Sequence, residues 1–209
     1  LFWGECPRKR EKSMLKLNSY FPKVYMKLNH VQFGKGLRMK GWPFVFQFPG
    51  SSVVMGENVR INSEFFSNLL GLYQRTIIIA RGGGQITIGD HVGISGSTIY
   101  SRGHITIGAH TIIGANCKII DNDMHSLDVE ERNNDIFDNL VCKDVTIGDS
   151  VFVGCNCIIL KGTQIGDRCV IGAGSVVSGA FPPDSVIAGN PARVIRTLPT
   201  VQRQSEEPV

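Results

Sequence analysis

The stretch from Ile147 to Pro182, IGDSVFVGCNCIILKGTQIGDRCVIGAGSVVSGAFP, divides without remainder into six frames of six residues: IGDSVF, VGCNCI, ILKGTQ, IGDRCV, IGAGSV and VSGAFP. Each frame opens on a β-branched aliphatic residue, at Ile147, Val153, Ile159, Ile165, Ile171 and Val177, and the first five carry a small or medium residue at the fifth place, where the last has Phe181. A period of six is neither helical nor a simple alternation; it predicts a short strand and a corner, taken again and again. The fifth, sixth and next first places make a strand pointing in, out and in, so Val151 and Val153 share a face that Phe152 does not. The Gly, Asp and Asn residues between strands supply the corners.

If three such sides close one turn, residues 18 apart stack: Ile147 on Ile165, Val153 on Ile171, Ile159 on Val177. Aliphatic ladders then run down the axis of an all-β parallel helix whose coils lie about 4.8 Å apart, as any paired strands do. The pattern extends upstream, imperfectly with MGENVR at Met55 and INSEFF at Ile61, then cleanly with IGDHVG at Ile88 and ISGSTI at Ile94 and, after a one-residue slip at Ser101 to Gly103, with IGAHTI at Ile107, IGANCK at Ile113 and IIDNDM at Ile119. Residues 68–75 depart from the frame, and Gly82, Gly83 and Gly84 read as a bulging corner, since no Lys-Ser or Lys-Thr follows to make a phosphate loop.

The repeat, together with the closing segment AGNPARVIR at Ala188 to Arg196, resembles the left-handed parallel β-helix of the hexapeptide-repeat acyltransferases, of the sugar O-acetyltransferase type that acts on galactosides and maltose. The left hand comes from that resemblance alone, since it runs against the usual crossover rule. The resemblance implies a homotrimer that uses acetyl-CoA as acyl donor, with the cofactor in a groove between subunits.

At 209 residues, with 42% apolar and 19% charged residues and 24 glycines, the composition is that of one corner-rich domain with attached ends. The expected division is a leader and cap over 1–52, a β-helix over 53–182 with a loop excursion at about 126–144, and an extension and tail over 183–209. Residues 14–28 are amphipathic and suit a short helix. A net charge of only +4 gives no demand for a nucleic-acid partner, and no apolar run is long enough for a membrane-spanning helix. Of the six cysteines, Cys117, Cys157 and Cys169 occupy inward fifth places as core filler, Cys155 a corner, Cys142 the loop and Cys6 the leader; that usage suits a reducing cytoplasm.

The repeat breaks at His125, where an aliphatic residue should open a frame, and resumes only at Ile147. Acyl transfer to an alcohol needs a base for the hydroxyl proton and donors for the oxyanion. His125 is the candidate base, a role the family resemblance also assigns to the histidine of DNDMHS, with Asp121 and Asp123 placed to orient it or hold an acceptor hydroxyl. Ser95, Tyr100 and Arg102, from the coil before, are candidate acceptor contacts, standing where the resembled sugar acetyltransferases carry Asn and Asp. By the same resemblance, Gly154 and Cys155 meet the thioester, Ala173 and Ser178 line the pantetheine path, and Arg193 and Arg196 approach the nucleotide phosphates, which suits the guanidinium fork. Where members often carry Lys after the residue matching Ser178, this chain has Gly179.

His91, His104 and His110 read as outward spacers. The competing reading is a zinc site like that of the γ-class carbonic anhydrases, whose close histidine pair has four intervening residues where His104 and His110 have five. No metal is expected. Two further activities compete with O-acetyl transfer: N-acetylation of an amino sugar or antibiotic, and service as a non-catalytic β-helix scaffold.

Overall fold

The computed structural model describes residues 21–134 and 140–199. Among these the strands form a triangular prism of three parallel faces. The first face stacks Gln32–Phe33, Ser52–Met55, Gln85–Ile88, His104–Ile107, Val145–Ile147, Gln164–Ile165 and Ala180–Phe181. The second stacks Arg38–Gly41, Arg60–Ser63, Gly93–Ser95, Ile112–Ala115, Phe152–Val153, Val170–Ile171 and Ser185–Gly189, closed by the antiparallel Ala192–Thr197. The third stacks Phe44–Gln47, Ile77–Ala80, Thr98–Ser101, Lys118–Ile120, Ile158–Ile159 and Val176–Val177. The chain visits the faces in the order first, second, third, and the prism is a left-handed parallel β-helix.

The three predicted stackings are the observed registers: Ile147 pairs with Ile165, Val153 with Ile171 and Ile159 with Val177. Continued along the prism they give one aliphatic column per face, such as Val45, Ile78, Ile99, Ile119, Ile159 and Val177 on the third, all fully buried. Each side chain so buried stabilises the fold by roughly 1.5–3 kcal/mol. Cys117, Cys157 and Cys169 are buried at the fifth places, and each thiol also donates to a corner carbonyl of the next coil, those of Gly154, Gly172 and Pro182, at 3.1 Å. Hydrogen bonding to Cys157, and then burial, push the Cys117 thiol far up, so it stays protonated filler. Cys6 lies outside the described residues.

The corners follow equally local rules. Between the first and second faces the fourth-place residues His91, His110, Ser150 and Arg168 all take the left-handed conformation, φ 56 to 59. The preceding aspartates accept amides of the neighbouring coil: Asp149 from Ala109 and Asp167 from Asp149. His91 and His110 are therefore a corner stack, their rings parallel with centroids 4.7 Å apart.

Two boundaries differ from the expectation. Residues 31–49, expected as a cap before a β-helix starting at 53, contribute a strand to every face and so form a complete first coil. Capping falls to the helix at 21–28, the described part of the amphipathic 14–28, whose Met26 is fully buried in the end of the core. At the far end Ser185–Gly189 still pairs in parallel with Val170–Ile171, so the helix continues past Pro182 before the chain folds back. The alternation of apolar residues in 31–49 carried this information, but its Gly and Pro breakers masked the frame.

Candidate active site

The junction between the fourth coil and the loop begins at Asp121, which is fully buried. Its carboxylate accepts from Ser101 Oγ at 2.5 Å, from the amides of Arg102 and Gly103 at 2.9 Å each, and from Asn122 Nδ2 at 2.9 Å. Those four bonds fill its lone pairs, so Asp121 anchors the corner of the preceding coil instead of holding an acceptor. The chain then leaves the prism and returns through the bridge of Asn122 with Cys142 and the Lys143 amide bonded to Asp121 O. Within the excursion Val129–Asn133 is a short helix whose N-cap, Asp128, accepts from the amides of Glu130 and Glu131.

His125 stands exposed at the mouth of this excursion, on the edge between the third and first faces. Its amide donates to Asp123 O at 2.7 Å, and the Met124 amide donates to Asn122 Oδ1 at 2.9 Å. Met124 is held at φ 64, an uncommon conformation for a side chain of its kind. On the other side Arg132 Nη1 donates to Ser126 O and Ser126 Oγ to Glu131. The imidazole thus projects from a backbone fixed on both sides. Asp123, beside it, forms a half-buried ion pair with Lys161 from the coil below. Lys161 was missed in the sequence, although its signal was present: it is the one lysine at a third place among the frames of 147–182, where the others carry Asp, Cys, Ala or Gly.

The candidate residues sort onto two edges of the prism. Arg102 shares the third–first edge with His125, Tyr100 leads into it from the third face, and Ser178 is exposed on it two coils further down. Ser95, Gly154, Cys155 and Ala173 lie on the edge between the second and third faces. There a Cβ on Gly154 would come within 2.6 Å of the Ala173 amide nitrogen, and one on Gly172 within 3.0 Å of Ala188 Cβ, so the coils pack into a smooth shelf without protruding side chains. Arg193 and Arg196 project from the outer side of the second face at the end of that shelf. Ser95 is 7% exposed, its Oγ accepting from Asn62 Nδ2 at 3.0 Å. His125 and the shelf are therefore on different edges of one protomer.

The second–third edge also carries an unpredicted strap. Residues 64–75 leave the second coil through the 3-10 turn Phe65–Ser67 and run down the edge. Leu72 is buried against Gly96, Asn116 Nδ2 donates to Gly71 O, and Tyr73 Oη reaches Asn156 Oδ1 at 3.4 Å.

Of the three histidines considered for zinc, His91 and His110 belong to the opposite corner, and His104 on the first face pairs with Asp144 at 3.3 Å. Among the described residues no three His, Cys, Asp or Glu side chains gather into a metal-binding group. No helix among them is long and apolar enough to cross a membrane.

Comparison with known proteins agrees with this architecture. The sequence model for the bacterial transferase hexapeptide (six repeats) matches residues 144–179. WbbJ of Escherichia coli strain K12, named for O-acetyl transfer in lipopolysaccharide biosynthesis, is 33% identical over 170 residues, covering 78% of this chain and 81% of WbbJ. The chain belongs to the hexapeptide-repeat transferase family. Within that family, galactoside O-acetyltransferase of Escherichia coli strain K12 is 38% identical over 101 residues, 48% of each protein. The match spans about half the length of several such relatives, between 44% and 52%. Among solved structures, galactoside acetyltransferase in complex with coenzyme A aligns with a TM-score of 0.52 at 25% identity, over 88% of this chain and 82% of that one. AntD, an N-acyltransferase from Bacillus cereus, shares the fold with a TM-score of 0.64 at 19% identity, over 84% of this chain and 88% of its own.

Proposed function

We propose that this transferase moves an acetyl group from acetyl-CoA to a hydroxyl of a sugar-containing acceptor, with His125 as general base, and that it does so as a homotrimer. The observation that carries the reading is the placement of His125. It stands on a fixed backbone at one edge of the prism, at the point where the repeat breaks, while the smooth shelf of Gly154 and Ala173 runs along another edge.

The outer third face supports a trimer. Phe44, Phe46, Ile77, Ile79, Ile158, Leu160 and Val176 lie on its outer side, and its one central cation, Lys118, is already bonded to Gln74 Oε1. Partial burial lowers the Lys118 ammonium's pKa from its ordinary value, which eases further covering of that face. In a closed ring of three with this face toward the axis, the third–first edge of one protomer meets the second–third edge of the next. His125 and Ser178 of one copy then border the groove whose other wall is Gly154, Cys155 and Ala173 of its neighbour. Acetyl-CoA in that groove would present its thioester near His125, which takes the acceptor's hydroxyl proton as the oxygen attacks the carbonyl; the thiolate leaves as CoA. The Gly154 amide is engaged by Ile171 O, so at that corner the backbone donor offered to the oxyanion is the Cys155 amide.

The hydroxyl acceptor is favoured because WbbJ and galactoside O-acetyltransferase are named for O-acetyl transfer, whereas the likeness to AntD is one of fold. The name of WbbJ supports a role in surface-polysaccharide synthesis, and an acetyl-CoA donor suits the cytoplasm.

The test is steady-state release of CoA thiol with a panel of sugars, amino sugars and acceptor-free controls. His125→Ala should lower transfer by roughly 10²- to 10⁴-fold, the usual worth of a positioned base. Light scattering should give three times the 22.9 kDa chain mass for both proteins. Near-normal turnover in a folded trimeric His125→Ala protein removes the base assignment, and turnover with amines only moves the enzyme to N-acetylation.

A further inference from the structure

The outer side of the second face carries a cleft of about 710 Å³ over the first four coils, which reaches the second–third edge at Ser95 and so lies away from the edge of the protomer's own His125. Its walls include Arg38 and Lys40 of the first coil, Arg60 and Asn62 of the second, Ser95 of the third, and Lys23 of the capping helix, and no carboxylate lines it. Arg38 and Arg60 are directly opposite each other on neighbouring strands, which places like charges where they repel. The ion pairs among the described residues join His104 to Asp144, Lys161 to Asp123 and Arg168 to Asp184, so none relieves that repulsion.

We propose that this cleft binds the diphosphate of a phosphorylated ligand, and that the ligand is the acceptor, its sugar end reaching Ser95 and Asn62. Guanidinium forks on adjacent coils match the spread of two phosphate groups, and each contact gains from the repulsion it removes. A single phosphate would leave most of the cleft empty, whereas a cavity of this size suits a ligand as large as a nucleoside diphosphate. Ser95 accepts from Asn62 and keeps its own proton to donate, and Asn62 Oδ1 is left to accept. The link to the acceptor rests on the trimeric transferase reading, in which this edge borders the neighbour's His125; the diphosphate site itself does not.

The probes are inorganic diphosphate, uridine diphosphate and geranyl diphosphate, titrated calorimetrically into the 209-residue protein. Tighter binding of the uridine compound indicates a nucleotide-linked acceptor, and tighter binding of the geranyl compound a lipid-linked one. Arg38→Gln and Arg60→Gln should each weaken binding by roughly tenfold to a hundredfold, the range for a lost charged hydrogen bond. Both should keep the wild-type KM for acetyl-CoA and the wild-type melting temperature or better, since each removes a repulsion. Lys40→Gln, two residues along the same strand as Arg38, repeats the test should either arginine variant fail to fold. His125→Ala should bind the diphosphates as wild type does, so the loss of the catalytic reading and the loss of this one are separate results. Unchanged diphosphate affinity in the arginine variants overturns the site. Competition between diphosphate and acetyl-CoA assigns the cleft to the donor and overturns the acceptor role. Arginine-dependent flotation with phosphatidylglycerol vesicles, without binding of the soluble probes, makes the cleft a membrane contact instead.

Discussion

Arg193 and Arg196 lie on the same side of their strand although they are three residues apart, because the antiparallel pairing slips by one residue between them: Arg193 is opposite Ala188 and Arg196 opposite Val186. In an unbroken strand that spacing would put them on opposite faces. The bulge at Ile195 thus aims both guanidinium groups outward at the end of the Gly154 shelf. If they hold the nucleotide phosphates of acetyl-CoA, Arg193→Ala and Arg196→Ala should each raise the KM for acetyl-CoA while leaving that for the acceptor unchanged. Each loss should amount to about 1.5–3 kcal/mol, read as a ratio of kcat/KM values. Wild-type discrimination between CoA and dephospho-CoA that survives in both variants would take the pair out of the site.

The Asp123–Lys161 ion pair ties the start of the loop to the coil beneath it. Removing Lys161 leaves a half-buried carboxylate unpaired and frees the segment that carries His125. Lys161→Ala should therefore lower kcat by up to about 10²-fold, the penalty for a catalytic group displaced by an ångström, with the KM for acetyl-CoA little changed. Lys161→Arg, which keeps the charge, should recover part of the rate. Equal loss in the two variants would assign Lys161 a direct contact with a substrate instead.

The fold was legible because burial in this architecture is strictly periodic. Once Ile147, Val153 and Ile159 are seen six apart, the three-sided stacking with Ile165, Ile171 and Val177 follows from the need to bury them. The first coil was not legible: Gly36, Gly41 and Pro43 are corner residues there, and without clean frames nearby they look like loop punctuation. His125 was found as an interruption. Asp121 was misread because its carboxylate is spoken for by the amides of Arg102 and Gly103, residues from the coil before, which no local pattern reveals. Lys161 escaped for the same reason, since its partner is 38 residues away in the chain.

Arg168 and Asp184 occupy consecutive corners between the first and second faces and form a two-pronged pair, at 2.6 and 2.8 Å. Hydrogen bonding to Arg168 holds the Asp184 carboxyl below its ordinary value. A carboxyl lowered on folding adds stability that is fully present above its unfolded pKa and fades as pH falls through the folded value. The urea midpoint of wild type should thus exceed that of Arg168→Ala at pH 7, and the gap should close as the pH falls below the ordinary carboxylate range, about 4. Both groups sit at the surface, so added salt should narrow the gap at neutral pH as well. A gap that widens in acid would mean the pair contributes through packing of the arginine stem.

Ile119 joins the core to the site, because it is the last buried aliphatic residue before the excursion and pairs with Ile99 above and Ile159 below. Its truncation removes three methyl-sized groups from a column that neighbouring coils cannot collapse to fill, since their backbones are fixed by strand pairing on both sides. Ile119→Ala should cost about 2–5 kcal/mol in urea unfolding, a large part of the stability of a domain this size. His125→Ala, six residues on and exposed, should cost almost nothing by the same measurement. Activity should separate the two in the opposite sense. At a temperature where Ile119→Ala is still folded, it should retain most of its kcat, because the hydrogen bonds that fix His125 run through Asn122 and Asp123 and not through the Ile119 side chain. If Ile119→Ala instead loses as much kcat as His125→Ala while remaining folded, the imidazole is positioned by the core column, and the loop's own hydrogen bonds are not what holds it.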